Sequence, residues 1–155
     1  MLRERFPEGV LEHPEGIDFT LILDRGHLVE VARFLRDERG YDLLSNLTAV
    51  DRPECFEVVY HLYSTADPGP PLALKVRLED KADPRLPSVT GVWEGANFQE
   101  REVYDLFGVV FEGHPKLERI LLWEGFPGHP LRKDFVNRTY SFEEMRLTLP
   151  PEEQR

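Results

Sequence analysis

The sequence holds a single cysteine, Cys55, among 155 residues. No disulfide can close within the chain. No iron–sulfur cluster can be held by it alone, because such clusters take about four ligands, mostly thiolates. A lone thiol fits a reducing compartment. Long apolar runs are also missing. FGVVF and ILLW fall far short of the roughly 20 residues that span a bilayer as a helix, and the opening MLRERFPEGVLEHPEG has no apolar signal-peptide core. Positive charge is in deficit, with 19 Lys and Arg against 29 Asp and Glu and a net charge of −10. A surface of that sign repels phosphate backbones and anionic lipid, which argues against nucleic acid and against direct electrostatic membrane contact. There is no Gly-rich phosphate loop, no G-x-S-x-G elbow and no CxxC pair. The sequence offers no nucleophile with its base. Cytoplasm is the expected compartment.

What is present reads as one soluble domain. A chain of this length buries roughly 68–70% of its unfolded surface, enough for a real core. Alternating apolar residues predict strands at Ile17–Leu23, Leu43–Val50, Phe56–Ser64 and Leu72–Leu78. Leu28, Val31, Ala32 and Leu35 fall at helical spacing within Gly26–Arg39, and Gly40 is placed to stop that helix. The loop TADPGPP is too rich in proline for a tight hairpin but can join antiparallel neighbours. One or two helical turns are expected at Val89–Glu94. A second helix is expected from Asn97, its N-cap with Glu100 completing an approximate capping box, to Gly108. The fold class is α+β: a mostly antiparallel sheet covered by helices, with an extended C-terminal arm. Residues 1–108 form the α+β part and 109–155 the extended docking segment of the same domain. Prolines, 13 in all, cluster at 68–87 and 115–130.

Beyond Gly108 no period is sustained, yet apolar residues persist, Ile120, Leu122, Trp123 and Phe126 among them. A segment of this kind has no face of its own to bury and must lie against the parent domain or a partner. The final SFEEMRLTLPPEEQR is expected to fray. On the second helix Glu100 falls within the apolar arc of Val103, Tyr104, Leu106 and Phe107, as either the capping-box carboxylate or a buried acceptor, while Arg101, Glu102 and Asp105 share the other side. Arg101 and Asp105 read as an i, i+4 ion pair. Glu100 and Glu102 point different ways, which disfavours paired acid–base work. His13, His114 and His129 each precede proline and lack the helical spacing of a zinc motif. In HPLRKDF, the charges of Arg132, Lys133 and Asp134 flanked by Leu131 and Phe135 describe the rim and core of an interface.

EREVYDLFG, EGHPKLERIL and GHPLRKDF resemble the hallmark of the roughly 30-kDa subunit of respiratory complex I, the C subunit of bacterial NADH-quinone oxidoreductase. ADPRLPSVTGVW resembles that family too, and the similarity spans about Ile17 to Phe135. One position departs: four residues after His114 the family carries a basic residue or proline, and here stands Glu118. The resemblance implies an accessory subunit of the peripheral arm, on the cytoplasmic side of the bacterial inner membrane and attached to it only through partners. It implies no catalytic residue, metal or cofactor in this chain, with flavin, iron–sulfur clusters and quinone in the partner subunits. The expected partner interface comprises Glu100, Arg101, Glu102, Asp105, His114, Arg119, Trp123, His129, Arg132, Lys133 and Asp134. An equivalent subunit of a membrane-bound hydrogenase or other electron-input complex is the alternative. A free-standing metal-dependent enzyme using His61, His114 and His129 is the rival of another class.

Overall fold

The computed structural model describes residues 2–12, 19–67, 69–141 and 143–144. Ile17 and Asp18, His13, and most of the terminal stretch expected to fray lie outside the described residues. A short helix α1 (Leu2–Arg5) leads to β1 (Val10–Glu12) and β2 (Phe19–Leu23). A 3-10 turn at Arg25–His27 then runs into α2 (Leu28–Arg39). Strands β3 (Leu43–Asp51), β4 (Phe56–Tyr63) and β5 (Leu72–Leu78) follow. A three-residue strand β6 (Arg85–Pro87), helix α3 (Ala96–Phe107) and β7 (Val110–Glu112) complete the regular structure.

The sheet runs β1-β2-β5-β4-β3. Its pairings are antiparallel except β2 with β5, which is parallel. Alternation explains the strands. Phe56, Val58, Tyr60 and Leu62 of β4 and Leu72, Leu74, Val76 and Leu78 of β5 all enter the core. They meet Leu28, Val31, Ala32 and Leu35 of α2, the stripe anticipated from spacing. Gly40 ends α2 in the left-handed region at φ 75° and its N–H caps the Leu35 carbonyl. This conformation costs a glycine little and any other residue more. The proline-rich loop does join antiparallel β4 and β5.

Sequence patterning misses β1, β6 and β7, because three residues are too few to display a period. β6 and β7 pair in parallel as a separate two-stranded sheet, so pairing continues past Gly108. Between β6 and α3, Val89–Glu94 forms a turn in which the N–H groups of Val92 and Trp93 both donate to the Val89 carbonyl. The capping box is a correction. Helix α3 starts at Ala96 after Gly95, and no side chain caps it. Asn97 already lies inside the helix, and Glu100 is engaged elsewhere.

Candidate functional site

Helix α3 carries two carboxylates that are 0% exposed, Glu100 and Asp105. Asp105 is the more heavily bonded. Its Oδ2 accepts the consecutive N–H groups of Ile120, Leu121 and Leu122 at 3.1, 2.8 and 2.9 Å. Its Oδ1 takes the Arg119 guanidinium at 2.7 Å. Burial pushes this carboxyl up, but the N–H groups of Leu122 and Leu121, the Arg119 side chain and the Ile120 N–H together draw it below its ordinary value. Arg119 also donates to the carbonyls of Phe126 and Gly128. One buried carboxylate thereby gathers the chain from 119 to 128.

The expected Arg101–Asp105 pair does not form. Each residue turns to the arm instead of its helical neighbour. Arg101 donates to the Glu118 and Arg119 carbonyls and meets the Glu118 carboxylate at 3.4 Å. Glu118, the departure from the family pattern, therefore has partners within the chain, Arg101 and also Lys116 at 3.1 Å.

The C-terminal end of α3 is closed by the same arm. His129 donates from Nδ1 to the Asp105 carbonyl at 2.9 Å, and the Leu131 N–H donates to the Leu106 carbonyl. Helix ends leave such carbonyls without internal partners, and side chains or neighbouring backbone must supply them. His114 is fixed as one tautomer: Nδ1 accepts the Lys116 N–H and Nε2 donates to the Asn97 carbonyl. Gly108 lies directly beneath His129. Its φ is +77°, and an added Cβ would sit 2.6 Å from the imidazole. Gly108→Ala is expected to cost about 1–3 kcal/mol from backbone strain alone, with a further loss from displacing His129. A thermal melt of the purified variant measures it, and an unchanged midpoint would show that His129 packs elsewhere.

Asp51, at the end of β3, anchors the arm a second time. It is buried, bonds the Lys81 ammonium and accepts the Lys133 N–H at 2.8 Å. Arg132 donates to the Lys81 carbonyl and stands 5.0 Å from the centre of the Phe56 ring. Asp134 bonds only Arg132 among the ion pairs of the described residues. Sequence patterning does not single out Asp51 or Lys81. Neither sits in a motif, and the only hint is an acidic residue closing a strand.

The predicted interface residues thus divide. Glu100 and Asp105 are buried inside the chain, so their side chains are unavailable to a partner; they hold the structure behind the surface. Arg101, His114, Arg119, His129 and Arg132 are half-buried with partners in the chain, and Glu102, Trp123, Lys133 and Asp134 are exposed. Trp123 packs edge-on against Phe126, which stacks on Phe135. Leu121 is 62% exposed and Trp123 38%. His61, His114 and His129 bond separately to Asn46, Asn97 and Asp105. Among the described residues no group of three or more His, Cys, Asp or Glu is disposed to hold a metal ion.

Comparison with known proteins matches residues 21–141 to the family described as respiratory-chain NADH dehydrogenase, 30 Kd subunit. This chain belongs to that family. The 30-kDa family member is 53% identical over 139 residues to the C subunit of NADH-quinone oxidoreductase from Roseiflexus castenholzii, covering 86% of this chain and 79% of the relative. It is 47% identical over 142 residues to the same subunit from Moorella thermoacetica, covering 89% and 93%. Its fold is similar to a chain in the membrane-bound sulfane sulfur reductase, an archaeal respiratory membrane complex. The TM-score is 0.72 at 29% identity, over 87% of this chain and 81% of that one. The resemblance carried by EREVYDLFG and GHPLRKDF is borne out, as is the α+β class. The 30-kDa family member is a complex I subunit, part of a membrane-associated respiratory assembly whose other subunits are its partners. No described helix is long and apolar enough to cross a membrane.

Proposed function

We propose that this chain is a non-catalytic brace in the peripheral arm of a proton-translocating NADH:quinone oxidoreductase. It sits on the cytoplasmic side of the bacterial inner membrane and holds neighbouring quinone-site and iron–sulfur subunits in register. The flavin, clusters and quinone belong to those neighbours. The observation that carries this reading is the arm. Its backbone is fastened to the domain through Asp105 and Asp51, while Leu121, Trp123, Leu131 and Val136 project outward. Apolar side chains on a pinned backbone form an interface with little ordering cost on association. Electron transfer needs fixed cofactor distances, and a rigid face supplies them.

Leu121→Asp combined with Trp123→Asp should separate docking from folding. Leu121 is exposed, so its change should shift the stability of the isolated chain by no more than about 0.5 kcal/mol. Loss of the Trp123–Phe126 edge contact should add about 0.5–1.5 kcal/mol. Assembly into solubilised membrane complex, and with it NADH-driven quinone reduction, should fall at least tenfold. Full assembly of the double variant would remove this face from the interface.

The likeness to the sulfane sulfur reductase favours a second reading, the equivalent subunit of a complex with another electron input. Subunits that co-purify with the chain discriminate the two. A flavin- and NADH-binding pair supports the first reading, and its absence supports the second.

A further inference from the structure

Glu100 shares with Asp105 an exposure of 0% but, unlike Asp105, its carboxylate bonds the turn after β6 and not the arm. Its Oε1 accepts the Val89 N–H at 2.7 Å and its Oε2 meets the Ser88 hydroxyl at 2.7 Å. Ser88 Oγ lies 2.8 Å from Thr90 Oγ1 and also accepts the Thr90 N–H. Glu100 and Val89 are buried, whereas Ser88 and Thr90 are half-exposed. The hydroxyls therefore form a line from an enclosed carboxyl outward to the surface.

The groups around Glu100 are few. From β4, the fully buried Tyr60 phenol faces it, and the Tyr60 hydroxyl has no hydrogen-bond partner. The turn after β6 presents only the two hydroxyls and the Val89 N–H. The nearby cations are committed elsewhere: Arg101 to the arm, Arg36 to the Val92 carbonyl and Asp37. His114 is held on the Asn97 carbonyl. Gln99 accepts the Leu47 N–H of β3. No described cation bonds to Glu100, so a buried negative charge there is offset only by two neutral donors among the described residues, the Ser88 hydroxyl and the Val89 N–H.

We infer that Glu100 is a proton-binding site that exchanges with solvent through the hydroxyls of Ser88 and Thr90. In the neutral state the Glu100 O–H donates to Ser88 Oγ and the Ser88 O–H donates to Thr90 Oγ1. On release, Glu100 Oε2 gives its proton to Ser88, Ser88 gives its own to Thr90, and Thr90 gives its own to water. Each hydroxyl loses one proton and gains one, and the products are a carboxylate and a hydronium ion. Among the described residues Tyr60 makes no hydrogen bond to the carboxyl, and the path runs through Ser88. Burial pushes the Glu100 carboxyl up to about 7, against the pull of the Ser88 hydroxyl and the Val89 N–H. The exchange is thus poised near neutral pH.

The experiment is a pH titration of the full chain labelled with 13C at glutamate side-chain carboxyls, with Glu100→Gln assigning the resonance. The wild type should titrate near neutrality as one averaged resonance. Thr90→Val leaves the Ser88–Glu100 bond intact, so the midpoint should stay while separate neutral and ionised resonances appear. Ser88→Ala removes the first link and one donor to the carboxylate, so exchange should slow and the midpoint rise. A Glu100 already ionised well below neutrality overturns the site. A single averaged resonance in either variant, or two resonances in the wild type, overturns the relay.

Discussion

Asp105→Ala is expected to lower the stability of the chain by about 3–5 kcal/mol, the usual cost of removing one partner from a buried ion pair. Four donors lose their acceptor together: three consecutive N–H groups and the Arg119 guanidinium. Because Arg119 also holds the Phe126 and Gly128 carbonyls, loss of its counter-charge should loosen the arm before the sheet. Limited proteolysis read by mass spectrometry checks this. Wild type should resist trypsin at Arg119 and Lys133, while the variant should be cut there first. Wild-type cleavage at those sites as fast as the variant's would mean the arm is not held on its own domain. A pH dependence accompanies the same residue. The folded carboxyl lies below its ordinary value of 3.8. Its contribution is complete above about that pH, and it is lost as pH falls through the folded value.

Glu100 should behave in the opposite sense. Its folded carboxyl lies near 7 against an ordinary 4.5. The folded state therefore binds a proton more tightly than the unfolded chain, and stability is greatest below 4.5. It declines as pH rises to about 7, where the buried group ionises. At about 1.4 kcal/mol per pKa unit, this group accounts for a decline on the order of 3 kcal/mol. Glu100→Gln keeps an acceptor for Val89 and a donor for Ser88 without titrating. Urea unfolding of both proteins across pH 5 to 8 is the measurement. The variant should match the wild type at acid pH and exceed it on the alkaline side. Parallel curves would mean that Glu100 is already ionised at the acid end.

The contrast between these two carboxylates also shows what the sequence could disclose. The strands of the sheet and the apolar stripe of α2 follow from period, because burial of one face imposes it. Gly40 and Gly108 were legible as stops, since a left-handed residue at a helix end favours glycine. The burial of Glu100 followed from its place in the apolar arc of α3. Its acceptor role did not go to its own helix start, because the turn at Ser88–Val89 reaches it first. Asp105 looked like a surface partner for Arg101. Beside the Arg119 guanidinium, its donors come from residues 15 to 17 positions away and are backbone N–H groups, which every residue but proline carries. No periodicity records such a contact. The same holds for Asp51 and Lys133. The family motif names the residues of α3 and the arm, and the folded chain sorts the acids that build from the side chains that face outward.

The Asp51–Lys133 contact spans 82 residues, and this has a consequence for the order of events during synthesis. Strands β3 to β5 can pair as soon as they emerge, since β3 and β4 are joined by a short turn. Asp51 then waits for its second donor until nearly the whole described chain has been made. Contacts of such separation form late, because a long loop must close before they repay its entropy. Closure of the arm over Phe56 therefore reports that synthesis has passed Lys133. The surface offered for assembly takes its final shape only on a chain whose central domain has already folded.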